Sequence, residues 1–192
     1  KVTIMQYLDE VDDIARMMGS CNTVVVKDGK FKGYNTDGLG CLRSLVEEGS
    51  VEIKDNIFFS FGAGGTGKSV CFELANNGAR RIYICSRSAL CEELAANINN
   101  YFPGVCVAIR AADEEKIRQA VSDANVLLNL SGSGMYPHID ETPVDKALLQ
   151  PKHICFDATY NPDKTRFLLE AEEKGCKIIN GIGMVIYQGA RQ

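Results

Sequence analysis

The chain has 192 residues, 45% hydrophobic and 24% charged, with a net charge of −4; this is room for one large domain, or one domain and part of another, in an ordinary globular composition rather than a disordered or fibrous one. The acidic balance and the lack of any Lys/Arg run argue against nucleic acid as the main partner, because that affinity is mostly phosphate neutralisation. No apolar run approaches the roughly 18 residues of a membrane span, and Lys1–Glu10 has no signal-peptide core, so no membrane partner and a cytoplasmic location are expected.

In chain order, Met5–Met18 reads as helical. Asn22–Val26 and Phe31–Tyr34 then flank Lys27-Asp-Gly-Lys30, whose Asp-Gly predicts a hairpin turn. A second helix is expected from about Thr36 to Glu48, ending at Gly49-Ser50. A helix, a hairpin and a helix do not close a domain, so residues 1–50 are expected to be the edge of a neighbouring substrate-binding domain with an interdomain helix.

From Asn56 onward the pattern changes to apolar runs alternating with amphipathic stretches, which predicts βα units in a parallel sheet and makes 51–192 one domain. The predicted strands are Ile57–Phe61, Arg81–Cys85, Val105–Ile109, Asn125–Leu130, His153–Asp157 and Cys176–Ile179. The predicted helices are Thr66–Asn77, Ala89–Tyr101, Glu114–Val121, Asp145–Leu149, Lys164–Lys174 and Gly183–Arg191, with Gly78 and Gly175 as C-caps. The expected fold class is α/β, a Rossmann-like doubly wound parallel sheet with a remnant of an α/β substrate domain.

The eight cysteines, Cys21, Cys41, Cys71, Cys85, Cys91, Cys106, Cys155 and Cys176, form no Cys-x-x-Cys pair. Most sit in apolar runs and read as buried, reduced thiols used as small hydrophobes. With only His138 and His153 available and neither near a helical partner, no metal site is expected.

The segment after the first long strand, Gly62-Ala63-Gly64-Gly65-Thr66-Gly67-Lys68-Ser69, fits two motifs. As G-x-G-x-x-G it uses Gly62 for the tight turn, Gly64 for approach to a pyrophosphate and Gly67 for close helix–strand packing. As G-x-x-x-x-G-K-[ST] it would cradle a nucleoside triphosphate, with Lys68 on the terminal phosphates, Ser69 on Mg²⁺ and Asp157 as the second metal carboxylate. Either reading puts phosphate at a helix N-terminus. A glycine-rich turn with no ligand and a P-loop NTPase or small-molecule kinase therefore stay open at this point. After the next strand, Ser86-Arg87-Ser88 stands where an NAD enzyme more often carries an acid, which favours NADP over NAD.

Four blocks then resemble the shikimate dehydrogenase family, including its quinate/shikimate branch, over essentially the whole chain. They are Gly19-Ser-Cys-Asn22-Thr-Val with Gly33-Tyr-Asn35-Thr-Asp37-Gly38; the Gly62–Gly67 loop with Ser86-Arg-Ser88; Asn129-Leu-Ser131-Gly-Ser-Gly134-Met135-Tyr-Pro137; and Tyr160-Asn-Pro162-Asp-Lys-Thr165 with Gly181-Ile-Gly-Met184 and Gln188-Gly-Ala190. The resemblance implies an NAD(P)-dependent oxidoreductase interconverting 3-dehydroshikimate and shikimate, or the quinate pair, in aromatic amino acid biosynthesis or quinate metabolism, as a monomer or homodimer. It also demotes the triphosphate motif to coincidence.

The family uses a Lys and an Asp as catalytic pair. Leu8-Asp9-Glu10-Val11-Asp12 matches the stretch that follows the family's lysine, and counting back puts that lysine at Lys1, with Asp37 as its partner. The resemblance makes Asn22, Tyr160 and Gln188, on the first half of the last helix, substrate-binding candidates. It makes Gly62, Ala63, Gly64, Gly65, Thr66, Gly67, Ser86, Arg87, Ser88, Asn129, Ser131, Gly134, Met135, Gly181 and Met184 cofactor-binding candidates. Read without the family, Asp37 is equally a helix N-terminal acid, Tyr160 a core aromatic, and Met135 and Met184 core fillers. The chain departs from the pattern in having Cys91 where the NADP branch often has a second base, and in lacking the family's N-terminal substrate block and final helix. The isolated chain is accordingly expected to be a non-catalytic dinucleotide-binding fragment or inactive.

Overall fold

A computed structural model describes residues 1–190. The predicted helix Met5–Met18 is not continuous: a 3₁₀ turn at Thr3–Tyr7 leads to the short strand β1 (Glu10–Val11), and helix α1 is confined to Asp13–Met18. Tertiary pairing overrides the local helical pattern here. The Asp9 amide donates to the Phe31 carbonyl at 2.9 Å, and the Asp12 amide donates to the Gly33 carbonyl at 2.9 Å. The Asp12 carboxylate then caps α1 by accepting from the Ile14 amide.

β2 (Thr23–Lys27) and β3 (Lys30–Tyr34) form the expected hairpin. Asp28 and Gly29 turn it with φ of 52° and 76°, the left-handed pair that a two-residue hairpin loop needs. The strand order is β1-β3-β2, with β1 parallel to β3. Helix α2 (Asp37–Glu47) follows directly.

The remaining chain alternates as read: β4 (Ile57–Phe61), α3 (Gly65–Asn76), β5 (Arg81–Ser86), α4 (Leu90–Tyr101), β6 (Cys106–Arg110), α5 (Glu114–Asp123), β7 (Val126–Asn129), β8 (Ile154–Asp157), α6 (Arg166–Glu173), β9 (Lys177–Ile179) and α7 (Ile182–Gly189). The predicted helix Asp145–Leu149 is only a 3₁₀ turn at Lys146–Leu148, since Pro143 and Pro151 leave too little chain between them for an α-helix. The predicted end of the last helix at Arg191 lies outside the described residues. Gly78 and Gly175 end their helices with φ of 81° and 77°, as C-caps do.

Among the described residues six parallel strands run in the order β6-β5-β4-β7-β8-β9. β4 is buried at every position, as a central parallel strand covered on both faces requires. One face packs Ile82, Ile84 and Leu128 against α1–α4 and α7. The other packs Phe59, Phe61 and Leu127 against α5 and α6. The order reverses between β4 and β7, and at such a switch point doubly wound sheets bind ligands beyond the carboxyl ends of the strands.

All eight cysteines are free and buried. Burial pushes the Cys71 thiol up to about 12 and the Cys85 thiol up to about 11, so neither is a ready nucleophile. No described helix is long and apolar enough to cross a membrane.

Candidate active site at the switch point

The glycine loop lies at that reversal, and each glycine has its own reason. Gly62 turns with φ 115°, and a side chain there would come within 2.7 Å of the Leu130 carbonyl group. A Cβ on Gly67 would strike the Gly62 carbonyl oxygen, so the third glycine lets α3 pack against the strand end. Gly64 and Gly65 differ from both: a Cβ on either would meet no protein atom within 4 Å. Their missing side chains leave open space beside the first turn of α3, where amides lack helical partners. That is the fit a pyrophosphate requires, and Ala63 and Thr66 complete the loop.

The triphosphate reading does not survive the geometry. Ser69 is 2% exposed, and its hydroxyl donates to the Gly65 carbonyl at 3.1 Å instead of facing a metal. Asp157 is fully buried and occupied: it accepts from Asn129 Nδ2 at 2.8 Å, Thr165 Oγ1 at 2.7 Å and the Thr159 amide at 2.8 Å. Burial raises its carboxyl above the usual range against the opposing pull of those donors. Asp157 is an internal anchor for two loops, not a metal ligand.

Beside the glycine loop lies a cleft of about 540 Å³ lined by Thr66, Ser131, Met135, Tyr136, Thr159 and Tyr160, among others. Tyr160 is 57% and Met135 51% exposed, so neither is the core filler that composition alone suggests. Asn129 sits beneath this wall. Its Nδ2 donates to the Ser133 carbonyl and to Asp157, and its Oδ1 accepts from the Ser131 hydroxyl at 2.7 Å. It therefore shapes the loop from below rather than lining the cleft. Gly134 turns with φ 86° against Thr165. Gly181 lets α7 start against the Ala158 carbonyl. Met184 is 6% exposed and packs in the core.

At the end of β5, the strand next to β4, Ser86 Oγ donates to the Ser88 carbonyl at 2.6 Å and accepts from the Cys91 amide. Arg87 is exposed and makes no ion pair among those of the described residues. Cys91 is fully buried, so its side chain belongs to the core.

A second cluster lies at the start of α2. Lys1 Nζ bonds Asp37 Oδ2 across 36 residues of sequence. Asn22 Nδ2 donates to Asp37 Oδ1 at 2.7 Å, and Asn22 Oδ1 accepts from the Thr36 amide at 2.9 Å. The Asp37 amide in turn donates to Asn35 Oδ1 at 3.2 Å. Asp37 is in the first turn of α2, where the helix dipole favours a carboxylate. It is thus both the helix-start acid and the hub of the cluster. Asn35 and Thr36, which hold it in place, were signalled only by lying beside it.

α2 joins the two clusters. A Cβ on Gly38 would strike the Ser69 carbonyl of α3, and one on Gly40 would meet Gln188 Cβ at 3.0 Å. Both glycines let α2 pass close to the phosphate-loop helix and to α7. Gln188 meets α2 at Gly40, one turn from Asp37, and stands one residue before the end of α7, not in its first half.

No family model matches the chain. Curated relatives do: it is 40% identical over 192 residues to the shikimate dehydrogenase (NADP(+)) of Alkaliphilus oremlandii, covering 99% of this chain and 67% of that protein. Among solved structures it matches the Listeria monocytogenes shikimate 5-dehydrogenase in complex with shikimate and NAD, with a TM-score of 0.95 and 35% identity, over all of this chain and 68% of the other. It also matches the quinate dehydrogenase of Corynebacterium glutamicum in complex with NAD, with a TM-score of 0.90 and 29% identity, over 100% of this chain and 67% of the other.

Proposed function

The chain belongs to the shikimate dehydrogenase family, and from that premise we infer that it is an NAD(P)-dependent oxidoreductase interconverting 3-dehydroshikimate and shikimate, or 3-dehydroquinate and quinate. The observation that carries this reading is the joining, through α2, of an open Gly64–Gly65 backbone to the Lys1–Asp37–Asn22 cluster. Residues 1–50 serve as part of the substrate domain and its connecting helix, and residues 51–192 as the dinucleotide domain; the two separate sheets support that division.

A bound nicotinamide dinucleotide supplies the hydride acceptor or donor. Gly62–Gly67 would hold its pyrophosphate, with Ser131, Gly134 and Met135 on the nicotinamide side. In the oxidising direction Lys1 Nζ accepts the proton of the substrate hydroxyl. Asp37 orients that hydroxyl and stabilises the ammonium formed, and in the reducing direction the same proton returns. Asn22 keeps Asp37 in place and, with Tyr160 and Gln188, holds the substrate. The eight unpaired, buried thiols support work in a reducing cytoplasm.

NADP is the cofactor favoured by Arg87 and Ser88, tighter than NAD by on the order of 1.5–3 kcal/mol for a charge-assisted contact. Calorimetric titration with NADP⁺, NAD⁺ and ATP–Mg²⁺ tests the reading. NADP⁺ should bind most tightly and ATP–Mg²⁺ not measurably. Tight Mg²⁺-dependent ATP binding overturns the dehydrogenase reading, and an NAD⁺ preference overturns the choice of cofactor.

A further inference from the structure

We propose that Arg110, at the end of β6, is a second cation for the 2′-phosphate of NADP and so a determinant of cofactor choice in this protein. The inference rests on the dinucleotide reading above and adds a residue to it.

A phosphomonoester carries about −1.5 to −2 charges at neutral pH, so Arg87 alone leaves much of the charge uncompensated. The neighbouring helix offers no further base at its start: Leu90-Cys91-Glu92-Glu93 holds an apolar residue, a buried thiol and two acids. Arg110 is on the adjacent strand. In the parallel ladder its Cα faces that of Ser86, the residue before Arg87, and the Ala111 amide donates to the Ser86 carbonyl at 2.9 Å.

The side chain emerges on the appropriate face. Alternation along β6 puts Cys106 and Ala108 on the α3/α4 side of the sheet, and Arg110 follows them there. On β5, Ile82 and Ile84 mark the same side, and Ser86 reaches the Cys91 amide of α4 from it. Arg110 and the Ser86–Ser88 loop therefore share one surface. There the guanidinium is held by Glu92, with Nη1 3.3 Å from Oε2, and both side chains are about half exposed.

Glu92 gives the arrangement its sense. The Cys91 thiol and the Arg110 guanidinium bond its carboxylate and hold its titration below the usual range, so it is charged at neutral pH. An unneutralised carboxylate in the first turn of α4 would repel a 2′-phosphate. Arg110 cancels it and still has free guanidinium donors to offer, since Arg carries five N–H groups in a fork. NAD, with a ribose hydroxyl in place of the phosphate, gains nothing comparable.

The test measures dissociation constants of 2′,5′-ADP, NADP⁺ and NAD⁺ for the wild-type chain and for Arg110→Ala, Arg110→Lys, Glu92→Gln and the Arg110→Ala/Glu92→Gln double variant. Arg110→Ala should weaken 2′,5′-ADP and NADP⁺ about tenfold and leave NAD⁺ within about twofold, as for a charge-assisted contact partly screened by solvent. Arg110→Lys should recover part of the loss. The NADP⁺ deficit should persist in the double variant, because the contact is direct; full restoration there would reduce Arg110 to a neutraliser of Glu92 and overturn the proposal. Equal weakening of NAD⁺, or no change in NADP⁺, also overturns it. Wild-type protein that binds neither dinucleotide would instead remove the reading on which the proposal rests, an outcome distinguishable because it precedes any substitution.

Discussion

The two halves of the site are built from different materials. Around the β4–α3 turn the working parts are backbone: Gly62 turns, Gly67 packs, and Gly64 and Gly65 leave open space. At the start of α2 the working parts are side chains: Lys1 and Asn22 meet at the Asp37 carboxylate, and Asn35 accepts from the Asp37 amide. A backbone site is robust to side-chain chemistry and fragile to added bulk. A side-chain cluster is the reverse, since each member depends on partners that only the fold supplies.

The sharpest way to use that contrast is at Asp37. Asp37→Asn keeps the size but removes the charge that Lys1 and Asn22 address. In a protein completed to its relatives' length it should lower kcat by about 10²–10⁴-fold, with Lys1→Ala comparable, while NADP⁺ affinity stays within about twofold. Steady-state kinetics beside a binding titration decides it; wild-type kcat in either variant removes the pair from the chemistry.

Gly64→Val is the matching change in the backbone half. A Cβ at 64 meets no protein atom within 4 Å, so the melting temperature should hold. The added bulk fills the space meant for pyrophosphate, and NADP⁺ binding should drop at least about 100-fold, or about 2.7 kcal/mol. Retained affinity would mean that the cofactor does not approach there. Gly67→Ala should behave oppositely and cost about 2–3 kcal/mol of stability, because its Cβ meets the Gly62 carbonyl.

A smaller loss is expected at Asn22. Asn22→Ala leaves the Thr36 amide without its 2.9 Å acceptor and Asp37 Oδ1 without its 2.7 Å donor. Urea unfolding should show about 1–2 kcal/mol lost. If Asn22→Ala unfolds like wild type, water replaces both contacts and the cluster is looser than its distances imply. Lys68→Ala comes last: with Ser69 turned back on its own helix, NADP⁺ affinity should move by less than about 0.5 kcal/mol. A large loss would restore a phosphate-gripping role to Lys68 that the rest of the loop contradicts.

Much of the molecule was legible in its sequence because its signals are local. The apolar run Ile57–Phe61, the glycine spacing after it and the Asp-Gly hairpin each act within a few residues, and strand, turn and helix followed them. The helix pattern over Met5–Met18 failed because β3, some 20 residues away, offers the Asp9–Asp12 backbone a better set of hydrogen bonds than a helix does. Taken alone, the glycine spacing fits either of two phosphate motifs; the family-like blocks around it favoured the dinucleotide, and the fold adds the physical reason by burying Ser69 and surrounding Asp157 with donors. Likewise the residue types Lys1, Asn22 and Asp37 could be named from the chain, but their meeting depends on the hairpin's return and on the Gly38 and Gly40 contacts that set α2 against α3 and α7. Periodicity and turn chemistry are short-range properties and are written in neighbouring residues, whereas the partners of a buried or clustered side chain are fixed by packing between segments far apart in sequence.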